Sequence, residues 1–215
     1  MKSIPARISG ISRHRLATDG EGVTTLVAFH GCPLRCRYCL NPHTLSRTEN
    51  SQVYTPVELY NETIIDELYF IATNGGIAFG GGEPGLHPDF IIEFREFCGS
   101  EWRLTLETSL NVPTLNIRAL LPVIDKFVID VKDINDEIYS GYTGGDNSLV
   151  IANLHLIAET GRQMDCLLRI PLIPGFNDDN DRERSMEELR KLGFSNFDFF
   201  TYKIKDCYGE RETYL

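Results

Sequence analysis

Apolar runs and amphipathic segments alternate along almost the whole chain. The apolar runs are short and rich in β-branched or aromatic residues, as buried strands are, and they lie at 23–29, 77–79, 104–106, 127–131, 167–170 and 197–202. Segments with apolar residues at helical spacing separate them, at 55–71, 88–97, 114–121, 148–159 and 181–192. These six nearly complete strand–helix cycles predict one parallel sheet with helices outside it.

Two of the predicted helices carry clear start signals. Thr55, Pro56 and Glu58 fit the N-cap, first position and third position of a capping box. Pro88 opens the next helix in the same way. The apolar positions of the two helices are Leu59, Ile64, Leu68 and Ile71 in the first, and Phe90, Ile91, Phe94 and Phe97 in the second.

Polar motifs fall where the predicted strands end. They are the cysteines at 32–39, the glycines at 80–82, Glu107 with Thr108, Asp130 with Lys132, and Lys203. A doubly wound sheet fits the alternation equally well, but in a parallel barrel all these strand ends share one rim, where active sites are built. We therefore expect an α/β fold, a partial (β/α)6 TIM-like barrel, in a single domain of residues 1–215.

Composition limits the classes of function. The chain has 42% hydrophobic and 24% charged residues, ordinary values for a soluble globular protein. A net charge of −10, without any lysine- or arginine-rich block, argues against nucleic acid as a partner. No apolar run approaches the ~20 residues that span a bilayer, and the first residues lack the apolar core of a signal peptide. We expect no membrane partner and a cytoplasmic location.

Three of the six cysteines lie within eight residues, since Cys32, Cys36 and Cys39 are spaced C-x3-C-x2-C. An ordinary four-cysteine iron–sulfur or zinc site needs one more ligand. A cluster held by this triplet would leave one iron open to a ligand that is not protein. The alternative is a structural zinc site, in which His43 or His30 would be the fourth ligand.

The other cysteines show no spacing typical of a second cluster. Paired disulfides are typical of small secreted chains, which this composition does not resemble. We expect Cys98, after an apolar helical pattern, and Cys166, at the start of a strand-like run, to be buried structural thiols.

A glycine-rich turn, Gly80-Gly81-Gly82-Glu83-Pro84, follows the second predicted strand. Consecutive glycines let the backbone approach a ligand closely and adopt positive φ. A carboxylate just beyond them can accept a charge-assisted hydrogen bond from an ammonium group. Alone the motif is an ordinary turn, but downstream of the cysteine triplet it predicts a ligand-binding turn.

The cysteine triplet with the aromatic Tyr38, followed by the Gly-Gly-Glu-Pro turn, resembles the signature of the radical S-adenosylmethionine (SAM) superfamily. The resemblance implies the partial (β/α)6 barrel of the radical SAM type, a [4Fe–4S] cluster and SAM bound at its unique iron. It also implies reductive cleavage of SAM to a 5′-deoxyadenosyl radical, which abstracts hydrogen itself. No side chain then needs to act as a general acid or base, because the cofactor carries the chemistry.

Further segments resemble the glycyl-radical enzyme activases of the pyruvate formate-lyase activating type. They are Asp19-Gly-Glu-Gly22, Phe29-His-Gly-Cys32 and the stretches 127–137 and 168–178. This resemblance implies a glycyl-radical enzyme as the protein substrate and reduced flavodoxin or ferredoxin as the electron donor. We expect the chain to be a monomer.

The resemblance also assigns roles to individual residues. Its cluster ligands are Cys32, Cys36 and Cys39. At the methionine amino group of SAM it implies contacts from Gly81, Gly82 and Glu83, and beside the adenine a contact from Tyr38. Around the ribose and the carboxylate it implies Asp130, Lys132 and Arg169. Near the methionine end or a monovalent cation it implies Glu107 and Thr108, and a last contact is Lys203, where the activases have histidine. For Asp130 and Lys132, which point to the same side of a strand, a plain ion pair is the alternative.

Two other functions stay open. One is a radical SAM enzyme that acts on a small molecule, similar to 7-carboxy-7-deazaguanine synthase. That family usually follows its third cysteine with an aspartate and a hydroxyl residue for magnesium, where this chain has Leu40-Asn41-Pro42. The other is a non-catalytic zinc-binding interaction module, with which bound iron and acid-labile sulfide would be incompatible.

Overall fold

The computed structural model describes residues 4–16, 20–45 and 51–202, so Lys203 and Cys207 lie outside the described residues. Within these ranges one open sheet has the strand order β3-β1-β2-β4-β5-β6-β7-β8. The strands are β1 (Ala6–Leu16), β2 (Val23–Phe29), β3 (Gln52–Tyr54), β4 (Gly76–Gly81), β5 (Arg103–Thr108), β6 (Lys126–Asp130), β7 (Cys166–Leu172) and β8 (Phe197–Thr201).

Helices connect these strands. They are α1 (Pro56–Thr63), α2 (Glu67–Thr73), α3 (Pro88–Cys98), α4 (Thr114–Leu120), α5 (Asp136–Thr143), α6 (Ser148–Glu159) and α7 (Asp179–Lys191). None of the helices in the described ranges combines the length and the apolar character needed to cross a bilayer.

Six strands form a parallel sheet in the order in which they follow along the chain, from β2 through β4 to β8. These are the six strands predicted from the apolar runs. The sheet ends at β3 on one side and at β8 on the other, so it does not close on itself. The predicted partial (β/α)6 barrel is confirmed, and the carboxyl ends of its strands share one rim.

Three elements were not predicted. β1 pairs antiparallel with β2, and the short β3 pairs antiparallel with β1, so both extend the sheet beyond the parallel strands. Only the first part of β1 is buried, which leaves most of the strand without an apolar signature. α5 is a polar helix that begins at the N-cap Asn135, whose side chain accepts a hydrogen bond from the Glu137 amide at 2.9 Å.

The capping box at Thr55 is confirmed, but the helix that it starts is broken. The Thr55 side chain accepts from the Glu58 amide, and the Glu58 carboxylate accepts from the Thr55 amide at 2.8 Å. After Thr63 the chain forms one 3-10 turn, at Ile64–Asp66, before α2 begins. The predicted continuous helix over 55–71 is therefore two helices with a turn between them.

The apolar face predicted for this segment was wrong beyond Leu59. Ile64 and Ile71 are exposed, and Leu68 is 76% exposed. The turn instead directs the buried Asp66 inward, where its carboxylate accepts hydrogen bonds from Arg13, His14 and Thr25 at 2.7, 3.1 and 2.9 Å. A buried carboxylate needs such partners, and their positions on β1 and β2 fix the rotation of the segment.

The core beneath these helices is aromatic. Its largest buried side chains include Phe29, Phe79, Phe94 and Trp102. Phe29 and Phe79 meet edge to face at 5.8 Å between ring centroids, and Phe79 and Phe94 do so at 5.5 Å. This packing holds α3 against β2 and β4, the strands that lead into the cysteine loop and the glycine turn. Phe97, predicted on the buried face of α3, is partly exposed and stacks on Tyr60 instead.

Candidate active site

A cavity of about 170 Å³ lies at the rim where the parallel strands end. It brings together eleven of the thirteen residues predicted for the site: Cys32, Cys36, Cys39, Gly81, Gly82, Glu83, Glu107, Thr108, Asp130, Lys132 and Arg169. Tyr38 lies behind this lining, and Lys203 lies outside the described residues. A wider surface hollow of about 610 Å³ over β3 and α1 holds neither cysteine nor lysine, so the smaller cavity is the one equipped for chemistry.

The cysteine loop leaves β2 directly and is held by its own backbone. The Arg35 and Arg37 amides donate to the carbonyls of Thr143 and Tyr142 at 2.8 and 3.1 Å, so the end of α5 anchors the loop. The Arg35 guanidinium donates to the Cys32 carbonyl at 2.7 Å. These contacts hold the loop over the cavity with all three thiols free and half-buried.

Burial keeps two of the loop thiols protonated when no metal is present. It raises the pKa of Cys32 to about 12, and the nearby Glu83 carboxylate adds to that rise. Burial also raises the pKa of Cys36, although Lys132 opposes it. A coordinating metal removes thiol protons outright, so metal binding here would release protons.

The donor set fits an iron–sulfur cluster. In the described ranges, no three histidine, cysteine, aspartate or glutamate side chains are grouped so that they could share one metal ion. A [4Fe–4S] cluster does not need that arrangement, because each thiolate binds a different iron. His43 is exposed, and His30 pairs through Nδ1 with the Ser9 hydroxyl at 3.2 Å, so neither joins the cysteines in a preformed zinc site.

Backbone hydrogen bonds join the glycine turn to the start of the cysteine loop. The Gly82 amide donates to the Phe29 carbonyl at 2.9 Å, and the Glu83 amide donates to the Gly31 carbonyl at 2.8 Å. A Cβ atom on Gly82 would come within 2.2 Å of the Gly31 carbonyl oxygen. Gly81 has φ +87°, which favours glycine. The glycines are thus required for the turn and the loop to meet at one side of the cavity.

Glu83 is 1% exposed, and both oxygens of its carboxylate already accept hydrogen bonds from other residues of the chain. One oxygen accepts from the Thr108 hydroxyl at 2.7 Å and the Gly85 amide at 3.0 Å. The other accepts from the hydroxyl and the amide of Ser109 at 2.7 and 2.9 Å. Burial nevertheless raises the pKa of this carboxyl, against the lowering by these hydrogen bonds. A ligand ammonium could reach Glu83 only beside these donors or in place of them.

Asp130 and Lys132 form an ion pair on the opposite wall. Lys132 is 6% exposed, and its ammonium bonds to the Asp130 carboxylate and to the Tyr202 hydroxyl, the latter at 2.7 Å. The Asp130 charge raises the pKa of Lys132 despite its burial, so the ammonium form persists. The predicted common side of these two residues is therefore observed, together with a third partner that was not predicted.

Arg169 joins three strands of the barrel. Its guanidinium contacts the Glu107 carboxylate at 3.2 Å and the Asp198 carboxylate at 3.5 Å. Strand register places Arg169 between Asp130 of β6 and Asp198 of β8. Sequence reasoning missed Asp198, although it is the one charged residue in the aromatic run Phe-Asp-Phe-Phe.

Tyr38 belongs to an aromatic cluster next to the cavity. Its hydroxyl donates to the Pro174 carbonyl at 3.2 Å, and its ring lies 5.9 Å from that of Tyr142 and 6.0 Å from that of Phe176. This cluster also packs against Cys36. The role of Tyr38 beside an adenine stays a prediction.

Comparisons with known proteins agree with this geometry. Residues 26–189 match the family model of the Radical SAM superfamily. Similar curated proteins include the (2S)-3-sulfopropanediol dehydratase activating enzyme of Klebsiella oxytoca, 28% identical over 83% of this chain and 74% of that protein. The pyruvate formate-lyase-activating enzyme of Clostridium pasteurianum is 30% identical over 81% of this chain and 69% of that protein.

Solved structures share the fold. SuiB of Streptococcus suis bound to S-adenosylmethionine matches with a TM-score of 0.65 at 14% identity, over 88% of this chain and 45% of that one. The structure of anSMEcpe with bound AdoMet matches with a TM-score of 0.60 at 21% identity, over 86% of this chain and 52% of that one. This chain thus spans about half the length of each of these two proteins.

Proposed function

The chain belongs to the radical SAM superfamily, and on that premise we propose that it is an activating enzyme that generates a glycyl radical on a partner protein. The observation that carries the proposal is the meeting of Cys32, Cys36 and Cys39 with the glycine turn in one cavity. Its curated relatives include the activating enzyme of a sulfopropanediol dehydratase and the activating enzyme of a pyruvate formate-lyase. The identity of the partner in this case is left to experiment.

The three thiols would hold a [4Fe–4S] cluster, and SAM would bind at the iron without a protein ligand. When bound, the reduced cluster would supply the electron that cleaves SAM to methionine and a 5′-deoxyadenosyl radical, and that radical would take a hydrogen atom from the partner's glycine and leave as 5′-deoxyadenosine. The chain's own residues bind and orient SAM, and Leu34, Val128 and Tyr142 give the cavity buried walls. None of them acts as a general acid or base.

The charges of the cavity suit a cationic ligand. Its carboxylates, Glu83, Glu107 and Asp130, outnumber its cations, Lys132 and Arg169. Bound SAM brings a sulfonium, an ammonium and a carboxylate group, and such a cavity attracts its net positive charge. A monovalent cation beside Glu107 and Thr108, at the methionine end, belongs to the same proposal.

The SAM contacts in this proposal follow the lining. Gly81 and Gly82 let the backbone approach the methionine moiety, and Glu83 holds their turn in place. Asp130, Lys132 and Arg169 face the ribose and carboxylate, and Tyr38 supports the adenine side. Lys203, which lies outside the described residues, is proposed as a further contact.

The proposed partners are a glycyl-radical enzyme and a low-potential electron donor, reduced flavodoxin or ferredoxin. The enzyme would act as a monomer in the cytoplasm. The donor's electron must reach the cluster, and the loop that would hold it has solvent-exposed residues, Pro33, Arg35 and Arg37 among them. That leaves a path for a donor protein to approach the cluster from outside.

The test uses the reconstituted holoenzyme with SAM, a reductant and an anaerobic extract of the source organism. We expect a persistent glycyl-type doublet in the EPR spectrum, together with 5′-deoxyadenosine, and neither of them with C36A. Formation of 5′-deoxyadenosine with no lasting protein radical would contradict the activase assignment and favour a small-molecule substrate.

A further inference from the structure

Tyr202 connects β8 to the ion pair on the wall of the cavity. Its hydroxyl accepts from the Lys132 ammonium at 2.7 Å and donates to Asp130 Oδ2 at 3.2 Å. One side chain thus contacts both charged residues through its hydroxyl.

The ring of Tyr202 has little freedom to move. It is buried, with Phe200 at 5.1 Å and Tyr142 at 5.8 Å between ring centroids. Aromatic neighbours on two sides fix the direction of its hydroxyl. The position of the Lys132 ammonium is therefore set by a rigid element and not by its own flexible stem.

The hydrogen bonds of the pair are incomplete. A lysine ammonium has three N–H donors, and Asp130 and Tyr202 take two of the three on Lys132. Asp130 Oδ2 accepts from both Lys132 and Tyr202, whereas Asp130 Oδ1 is buried and has no hydrogen-bond partner among the described residues. A buried acceptor without a partner costs free energy, and a ligand in the adjoining cavity can remove that cost.

We propose that Tyr202 is a positioning residue, which holds Lys132 and Asp130 so that one N–H donor and one carboxylate oxygen face a hydroxyl of the ligand. A hydroxyl is the group that both accepts and donates, so it satisfies the two atoms at once. In SAM the groups of this kind are the two ribose hydroxyls. The inference rests on the proposed function, because it takes SAM to be the ligand.

The test compares ligand binding by oxidised holoenzymes, in which SAM is bound but not cleaved. Wild type, Y202F and Y139F are titrated calorimetrically with SAM and with its 2′-deoxy and 3′-deoxy analogues, after iron and sulfide contents have been matched. Y139F is the matched control, since it also removes one buried tyrosine hydroxyl, which accepts from Asn111 at 2.9 Å and touches neither Lys132 nor Asp130.

We expect Y202F to bind SAM about tenfold more weakly than wild type, the range of one lost hydrogen bond to a charged group, and Y139F to bind within twofold of wild type. Wild type should bind one of the two deoxy analogues more weakly than SAM, by a similar factor. Y202F should bind that same analogue no more weakly than it binds SAM. If Tyr202 had only a structural role, the affinity loss from the substitution and the affinity loss from the missing ligand hydroxyl would instead multiply.

Three results would overturn the inference. They are Y202F binding within twofold of wild type, losses that multiply, and equal weakening in Y139F. If wild type itself fails to bind SAM, the proposed function falls as well, and this result is distinct from the other three. Y202H, which also lacks the phenolic hydroxyl, serves as a second variant should Y202F not retain its cluster, and it must show the same non-multiplying loss.

Discussion

Glu83 combines deep burial with four hydrogen bonds from three neighbouring residues. Two of these donors are the hydroxyls of Thr108 and Ser109, and two are the amides of Gly85 and Ser109. The carboxylate therefore joins the glycine turn to the end of β5. Its first task is to hold the turn, whatever ligand the turn meets.

Glu83→Ala is expected to destabilise the fold and to weaken SAM binding. Loss of the carboxylate leaves buried donors without acceptors, which costs about 3 kcal/mol of unfolding free energy. Denaturant titration measures that loss. E83Q keeps an acceptor oxygen and should lose less. An unfolding midpoint of E83A equal to that of wild type would contradict the structural role, and unchanged SAM affinity would contradict the ligand role.

Cys36→Ala is expected to abolish assembly of a [4Fe–4S] cluster with little change in fold. Cys36 is half-buried at the cavity, and two thiolates cannot replace three. Iron and acid-labile sulfide per chain measure the outcome after anaerobic reconstitution. Cys98→Ala is the control, because the Cys98 thiol is free and buried at the end of α3, as predicted. Normal iron and sulfide in C36A, or their loss in C98A, would refute the ligand assignment.

Motif residues were predictable singly, but their partners were not. The cysteines stand out by their spacing, whereas Glu83 and Asp130 were singled out by the resemblance to the radical SAM family. Ser109, Asp198 and Tyr202 were not predicted: the register of β7 and β8 brings Asp198 beside Arg169, and Ser109 and Tyr202 reach the cavity just beyond the ends of β5 and β8. Sequence spacing cannot supply that register, since it depends on how distant strands pair.

The glycine turn and the cysteine loop form one unit through backbone hydrogen bonds at 2.8 and 2.9 Å. Gly82→Ala should separate them, because its Cβ would lie 2.2 Å from the Gly31 carbonyl oxygen. We expect a loss of about 2 kcal/mol in unfolding free energy, typical of overpacking, and reduced SAM affinity.

Gly10→Ala is the matched control for that change, since a Cβ there meets nothing within 4 Å. Calorimetric binding and denaturant titration on both variants measure the difference. If G82A behaves like G10A in both, the close approach of turn and loop is not required.

The exposed apolar side of α2 shows that the hydrogen bonds of a buried polar residue, and not the apolar pattern, can set the orientation of a helix. Leu68→Gln should change the free energy of unfolding by no more than about 0.5 kcal/mol, as exposed positions do. Leu59→Ala, at a fully buried position of α1, should cost about 2–5 kcal/mol. Denaturant titration of the two variants gives both values. A large loss in L68Q would mean that this side is covered in the native protein.

Elements with a strong apolar period were predicted well, and elements held by pairing or by buried charge were not. The inner parallel strands, β4 to β7, are largely buried, because helices cover one face and the barrel interior the other. β1 is held by its pairing with β2, and the turn at Ile64–Asp66 is held by Arg13 and Thr25. Such interactions join residues that are distant in sequence, so no local pattern reports them.

The molecule as a whole is an open barrel that places its chemistry at one rim. β2 carries the cysteine loop, β4 the glycine turn, β6 the Asp130–Lys132 pair and β7 Arg169. Because these strands are parallel neighbours or nearly so, residues far apart in sequence meet in one cavity. That rim could be predicted from the alternation of elements and the placement of polar motifs. The open edges at β3 and β8 could not, since they depend on pairings outside the parallel strands.

That this cavity assembles a SAM-cleaving centre is a claim that product analysis can decide. Reconstituted, reduced wild-type protein is incubated anaerobically with SAM, and methionine and 5′-deoxyadenosine are quantified by chromatography. We predict the two products in equal amounts, with neither formed by C36A under the same conditions. A wild-type protein that carries a full complement of iron and sulfide yet yields no 5′-deoxyadenosine would contradict the claim.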